Sequence, residues 1–482
     1  MNMNRRSFIQ KSILVSGALL AFKSTALYAL NGTRSTALNA LTGTGNITGK
    51  VSAAGQPLSD VLISDGFSVV KTDNNGSYSL GTNAKAEFVF ISIPSGYIFP
   101  EENKVARFYH PLKDGRSFDF DLKPLKKDDN EHSFIIWADP QVKDDNDVKQ
   151  MLSQSVPDVQ QLVRDLGEGE LIHGIGVGDL VWDNHALIPS YKEAVAEMGI
   201  PFFQALGNHD MDYRLGGDET SDRTFKKHYG PTYYSFNRGK AHYVILDDVR
   251  YLGTERDYDG FITQQQLDWL AEDLKHVSSD KLVILCMHIP VDTGVKNNQD
   301  LYALLAPFSN AHIMSGHTHF NRNTITHNVY EHNHGTVCGS WWTGPICQDG
   351  TPRGYGVYRV EGNTLKWYYK SIGRSRSEQM KLYADEVTNQ KRVTANVWNW
   401  DPEWKIEYWA DNKYMGRMEN QEGFDPLSVK LYLGDKLPVT RTFVEPAKSD
   451  HIFVALVGSE IKKVKVIATD RFGEKYESEV EI

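Results

Sequence analysis

Cysteine is scarce in this chain: three in 482 residues, at Cys286, Cys338 and Cys347. So few exclude a disulfide-stapled scaffold and a cysteine-ligated zinc site. Cys286 lies in Leu282-Val283-Ile284-Leu285-Cys286-Met287, which reads as a buried strand, so an inert core thiol is expected there. Cys338 and Cys347 remain as one pair that could bond in an oxidising compartment. After the N-terminus no apolar run is long enough to span a bilayer, so no transmembrane anchor is expected. Positive charge is also short, with 52 Lys and Arg against 62 Asp and Glu, a formal net charge of −10. A chain this acidic is a poor non-specific binder of nucleic acid or anionic membrane, and no stable nucleic-acid partner is expected. A phosphate substrate is not excluded, because bound metal ions invert the local field. There is no internal repeat and no low-complexity tract. Apolar residues at 40% and aromatics at 11% suit ordinary packed cores.

What is present begins with an N-terminus that reads as an export signal. Asn4-Arg5-Arg6-Ser7-Phe8-Ile9-Gln10-Lys11 resembles a twin-arginine motif, and a short apolar stretch runs from Ser12 to Phe22. Ser24, Ala26 and Ala29 offer small residues for cleavage. A Sec signal with two chance arginines is the other reading, and either route implies an exported, periplasmic protein. No cysteine follows the apolar stretch, so no lipid anchor is expected. Residues 1–29 carry four cations and no acid, so their removal takes the formal charge from −10 to −14.

Residues 30–43 are small and polar and read as a linker. Residues 44–125 read as all-β, with alternation at Asn46 to Val51 and a turn at Asp73-Asn74-Asn75-Gly76. The stretch resembles the small carboxypeptidase-regulatory-like β-sandwich, which would serve as a spacer or contact a glycan or partner. Residues 131–375 alternate strands and helices, the pattern of a mixed α/β sandwich. Strands are expected at Phe134–Ala138, Leu171–Val177, Pro201–Leu206, His242–Leu246, Lys281–Met287 and Ala311–Ser315. Ser155 is expected to cap one helix, and Thr263-x-x-Gln266 to open another as a capping box. Residues 393–482 are β-rich again and suggest a second small sandwich, with Trp398, Trp400, Trp404 and Trp409 in its core.

Chemistry concentrates where those strands end. Asp139-Pro140-Gln141, Gly178-Asp179, Gly207-Asn208-His209-Asp210, His288 and Gly316-His317-Thr318-His319 follow one another in order. Carboxylates, an amide and imidazoles at the carboxyl edge of an α/β sheet supply the donors of two adjacent divalent ions. Taken singly, each residue has an ordinary reading as a turn, core or surface residue; the joint pattern reverses it. His327, His332 and His334 fall outside the pattern and read as strand or loop residues.

The ordered words D-x-Q, G-D, G-N-H-D, H and G-H-x-H resemble the calcineurin-like metallophosphoesterase superfamily over residues 131–375, with flanking β-domains like those of an exported bacterial subgroup. The resemblance implies a metallophosphoesterase α/β fold flanked by two all-β sandwiches. It implies hydrolysis of a phosphate mono- or diester by metal-activated water at a two-metal site. Carried over, Asp179 is the bridging ligand; Asp139, Gln141 and His319 belong to the first metal; Asn208, His288 and His317 belong to the second. His209 is the catalytic histidine, and Asp210 orients a neighbouring imidazole.

The chain departs from the family in two places. Gln141 stands where histidine is usual, and a neutral amide oxygen favours Mn²⁺ or Mg²⁺ over zinc at that site; two divalent ions are expected, Mn²⁺, Mg²⁺ or iron, with zinc as the alternative. Gly178-Asp179-Leu180-Val181-Trp182-Asp183 is one residue longer than G-D-x-x-D, which leaves open whether Asp183 meets His209. Farther on, Trp341, Trp342 and Arg353 are candidate substrate contacts, since indoles stack on a sugar or base and a guanidinium forks onto phosphate. The competing reading is a packed turn. The competing function is a catalytically weak binding protein that recognises glycan or a partner through its β-domains. Loss of the catalytic histidine would mark it, and His209 is present.

Overall fold

A computed structural model describes residues 45–81 and 83–482; the expected export signal and linker, residues 1–43, lie outside them. Two sheets form the centre. In the first, the strands Glu131–Trp137, Ile172–Val177 and Phe202–Ala205 run parallel, and Gly354–Glu361 and Thr364–Ser371 extend it antiparallel. In the second, Ala241–Ile245, Leu282–Cys286, Ala311–Ser315 and Val329–Asn333 run parallel between antiparallel edges Tyr234–Arg238 and Arg322–Thr326. Leu282–Cys286 and Ala311–Ser315 are buried at every position, as parallel strands covered on both faces must be.

The sheets meet through aromatic side chains. Phe134 stands edge-on to Tyr243, Phe236 stacks on Tyr243, and Phe203 stacks on Phe236 with centroids 3.7 Å apart. Helix Ile188–Met198 joins the first sheet through a 2.9 Å hydrogen bond from the Tyr191 hydroxyl to Gln204. Helix Gln264–Leu274 joins the second through Asp273, which accepts from the Ser235 hydroxyl and pairs with His242.

Local expectations fared unevenly. Ser155 caps nothing: it lies inside a helical run that begins at Asp145 and is capped by Asp144, whose carboxylate accepts from the backbone N–H of Asn146 and Asp147. A π-turn at Met151–Ser155 precedes Pro157 and accommodates its missing N–H. Thr263 does cap its helix, but Gln266 turns instead to the Asp247 backbone, accepting from its N–H at 2.9 Å and donating to its carbonyl at 2.8 Å. Cys338 and Cys347 are free buried thiols, each beside the Thr336 hydroxyl.

Residues 47–122 form two small four-stranded sheets, yet Val105–Ala106 and Glu101–Glu102 leave them to extend the first central sheet. The apolar core is accordingly continuous from Ile47 to Trp367. Residues 380–482 build two further four-stranded sheets over a separate core of Val393, Val397, Ile406, Val464 and Val466. Trp404 belongs to that core. Trp409 does not: it faces outward, against Tyr414 and Lys465.

Candidate metal centre

Five of the parallel strands deliver a candidate donor just past their carboxyl ends: Asp139 after Trp137, Asp179 after Val177, Asn208 after Ala205, His288 after Cys286, His317 after Ser315. The chain must turn sharply to bring these side chains inward. Asp139, Gln141, Asp179, Asp183, His317 and His319 all hold a left-handed backbone, φ between 39° and 71°. Such conformations cost of order 1–3 kcal/mol each, and concentrate where surrounding contacts enforce them. The motif glycines follow from the crowding. A Cβ on Gly178 (φ 87°) would lie 2.6 Å from His288 Nδ1, and one on Gly207 would lie 2.0 Å from the Asp179 nitrogen.

Asp179, His288 and His317 offer ligand atoms that all lie within 4.8 Å of one another. His288 Nε2 is 3.1 Å from Asn208 Oδ1, 3.3 Å from Asp179 Oδ1 and 3.1 Å from His317 Nδ1. Donors each about 2.0–2.2 Å from a common ion stand roughly 3–3.5 Å apart, so this spacing fits one cation. The His288 N–H at Nδ1 donates to the Val177 carbonyl at 2.8 Å, which fixes the ring and turns Nε2 to the cluster.

Asp139, Gln141 and His319 stand beside it. Asp139 Oδ1 is 3.7 Å from His319 Nε2, and the His319 Nδ1–H donates to the Gly339 carbonyl at 2.7 Å. The Gln141 amide N–H donates to Asp179 Oδ2 at 3.1 Å, while its carbonyl oxygen is buried with no hydrogen-bond partner. A buried amide oxygen with no protein partner, beside two carboxylates and a histidine, is open to a cation. The donor set therefore fits a second hard divalent ion.

The electrostatics agree. Burial pushes the Asp139 carboxyl up, and the Asp179 charge adds to it. Burial also opposes ionised Asp179, but the surrounding histidines, His288 foremost, outweigh it and hold that carboxyl low. Burial keeps His317 and His319 neutral, down to about 3 and about 4. Asp179 outweighs burial and draws a proton onto His288, pushed up to about 10, and a bound cation would take the place of that charge beside neutral His317 and His319.

Around this cluster, Asp183 Oδ1 meets His209 Nδ1 at 2.9 Å, and Arg256 holds the other Asp183 oxygen at 2.8 Å. The longer Asp179–Asp183 spacing is thus no obstacle. Asp210 orients no imidazole, contrary to expectation. Its carboxylate accepts from the backbone N–H of Leu180, Val181 and Gly207, tying two ligand loops together. Asp248 was not foreseen: it accepts from the N–H of His288 and Ile289 at 3.0–3.2 Å. Its signal was the Asp247-Asp248 pair at the end of an apolar strand.

The three expected substrate contacts separate. Trp341 stacks on the His319 ring, centroids 4.1 Å apart, and stays partly open. Trp342 is buried, with its indole N–H donating to the Pro140 carbonyl at 2.9 Å, so it holds the Asp139–Gln141 turn from behind. Arg353 lies over Trp342 and donates to Gln150 and Gln154. Those two residues are support, and their expected substrate role is corrected accordingly. Trp182, unremarked in the sequence, stands edge-on to His209 at 5.8 Å. His332 and His334 are buried in the second sheet and its margin, against Tyr330, Tyr358 and Trp367.

Comparison with known proteins gives the same family in three consecutive pieces. The model for the N terminal of calcineurin-like phosphoesterase matches residues 45–125, that for calcineurin-like phosphoesterase 154–321, and that for the C terminal of calcineurin-like phosphoesterase 331–476. No curated protein matches. Solved structures that are similar include a dimetal phosphatase from Danio rerio (14% identity, 50% of this chain and 96% of that chain, TM-score 0.38). Another is a purple acid phosphatase from yellow lupin, Lupinus luteus, seeds (14% identity, 64% of this chain and 57% of that chain, TM-score 0.37). A third is a putative 5'-nucleotidase from Staphylococcus aureus (13% identity, 50% and 53%, TM-score 0.31). With the three pieces matched in order from 45 to 476, this chain belongs to the calcineurin-like phosphoesterase family and is a hydrolase of the metallophosphoesterase type.

Proposed function

We propose that the chain hydrolyses a phosphate mono- or diester outside the cytoplasm, using two divalent ions. Asp139, the Gln141 carbonyl oxygen and His319 would hold one ion, and Asn208, His288 and His317 the other, with Asp179 between them. Bound there, Mn²⁺, Mg²⁺ or iron supplies neutralisation of phosphate charge and activation of water. The hard donors Asp139 and Gln141 favour these ions over zinc at the first position.

The protein's own groups supply the rest. Asp183 takes the Nδ1–H of His209 and so leaves Nε2 as the ring nitrogen that protonates the departing alkoxide. Arg256 steadies Asp183 from the other side. Trp182 and Trp341 line the approach and exclude water from one flank of the phosphate. The twin-arginine-like N-terminus supports export, and among the described residues no helix is long and apolar enough to cross a membrane. The β-rich ends, expected at 44–125 and 393–482, the second beginning instead with the strand Met380–Val387, would brace the 131–375 domain and are the surfaces for any glycan contact.

The buried, unpartnered Gln141 oxygen beside Asp139, Asp179 and His319 carries this reading. The experiment is hydrolysis of a chromogenic phosphodiester and the matching monoester by the Mn²⁺-loaded protein, with His209→Ala as control. Turnover that falls at least 100-fold in the variant supports the proposal, and the diester-to-monoester ratio gives the ester class. A wild-type protein inert on both esters while fully metal-loaded overturns it.

A further inference from the structure

Exposed large apolar side chains are not spread evenly. Phe424, Val429, Leu433, Leu437, Val439 and Phe443 fall within one stretch of twenty residues, while the remaining nine among the described residues are scattered from Ile98 to Phe472. Leu433 is 62% exposed, Val439 99% and Phe443 53%. Water-facing apolar side chains clustered in this way mark a contact surface.

The stretch is a short helix, Pro426–Tyr432, followed by a strap that returns at Val444. Both ends are fixed. The Tyr432 hydroxyl donates to the Ile346 carbonyl at 3.1 Å, and Val444 packs with Ile346 and Tyr432. Arg441 donates to the buried Asp147 carboxylate and to the Trp341 carbonyl. Leu433, Leu437 and Val439 therefore stand outward on a segment anchored at its base, rather than on a trailing end.

The strap also continues into the candidate metal centre. The Phe443 ring stands edge-on to Trp341 at 5.2 Å and to Trp182 at 5.9 Å. Trp341 lies on His319, and Trp182 borders His209. The rings of Trp341, Trp182 and Phe443 thus form one aromatic track from His319 and His209 to the returning end of the strap. The ring faces of that track offer an alkyl chain a continuous apolar surface. Exposed Lys143 lies over Trp182, where it can meet the charge of a polar headgroup, while Arg441, also against Trp182, is held by Asp147.

We propose that the substrate is an amphiphilic phosphate ester presented at a lipid surface, with its phosphate at the metal-site residues and its alkyl chain along this track. The strap residues Leu433, Leu437 and Val439 would enter the apolar layer of that surface. The inference rests on the phosphoesterase reading above and adds the class of ester. With a net charge of −10, the protein gains nothing from an anionic surface, so the strap is tested on a zwitterionic one.

The test uses the Mn²⁺-loaded full chain and the variant Leu433→Ser/Leu437→Ser/Val439→Ser, which touches no residue of the site. The probes are methyl and hexadecyl p-nitrophenyl phosphate, the latter in phosphatidylcholine mixed micelles, and flotation with phosphatidylcholine vesicles. The expected result is at least a tenfold preference in kcat/KM for the hexadecyl ester and co-flotation of the wild type. The variant should lose both while its methyl-ester turnover stays within twofold. Equal use of the two esters by the wild type, or an unchanged preference in the variant, overturns the proposal. So does a wild type that stays off vesicles and sediments as a dimer that the variant breaks, which would assign the strap to a second copy. If neither ester is hydrolysed, the phosphoesterase reading fails, and flotation still decides whether the strap binds lipid.

Discussion

Asp183 Oδ1 stands 2.9 Å from His209 Nδ1, and the Asp183 backbone N–H donates to the His209 carbonyl at 3.0 Å, so two loops from different strands are clamped at the proposed proton donor. The left-handed backbone at Asp183, φ 53°, absorbs the additional residue between it and Asp179.

From this clamp follows a division of roles. His209→Ala should lower kcat about 100-fold or more, the range of a lost general acid. Asp183→Asn should lower it about 10- to 100-fold, as removal of a positioning partner does. KM and metal content should hardly change in either. Steady-state kinetics with metal analysis checks this. A metal content that falls with kcat in Asp183→Asn would make Asp183 part of the metal site instead.

Gln141 is expected to set metal preference. Gln141→His should raise affinity for zinc, and Gln141→Ala should lower occupancy at the Asp139 and His319 side while sparing the other ion. Isothermal titration with Mn²⁺ and Zn²⁺ reads both changes. Identical isotherms for wild type and Gln141→Ala would mean that the orphaned oxygen does not bind metal.

Asp248 carries structural weight that its distance from the chemistry conceals. Asp248→Ala leaves two buried N–H groups, of His288 and Ile289, without an acceptor, at a cost of about 1–3 kcal/mol each. Asp248→Asn keeps one acceptor oxygen and should lose less. Thermal melts of the metal-free proteins should rank wild type, Asn and Ala in falling order. An unchanged Tm in Asp248→Ala would contradict the assignment.

Acid should destabilise the protein through histidines outside the site. His173 is buried between the sheets, with Phe99, Phe134, Phe203, Phe236 and Tyr243 around it and no partner on either ring nitrogen. Burial holds it neutral far below its usual range, and holds His132 and His312 down to about 3. A folded-state value below the unfolded one means that the stability is present above about pH 6.5 and is lost as pH falls from there toward the folded value. Each such histidine costs about 1.4 kcal/mol per pH unit in that window. His173→Phe should therefore raise Tm and flatten its fall between pH 7 and pH 5. A variant that is less stable at both pH values would point to a polar role for this ring.

The central fold was legible because parallel strands covered on both faces must be unbroken apolar runs, as at Leu282–Cys286. The positions proposed as ligands were legible because each run stops at a polar word such as Gly178-Asp179 or Gly316-His317. What escaped was set by long-range contact. Trp341 and Trp342 are neighbours in sequence, yet one indole faces the cleft and the other reaches back to Pro140, since consecutive left-handed residues splay them apart. Phe443 joins the site rim from a distant segment with no local motif to announce it. Ser155 looked like a cap because Pro157 follows it, and the π-turn that carries the helix through has no such sequence mark.

The most direct measurement is the number of divalent ions per chain, taken on the same samples as diester turnover, for wild type and Asp179→Asn. The account predicts two ions in the wild type, turnover that tracks occupancy during chelation and Mn²⁺ return, and loss of both in the variant. Full turnover in a chelated, metal-free protein, or in Asp179→Asn, would contradict it.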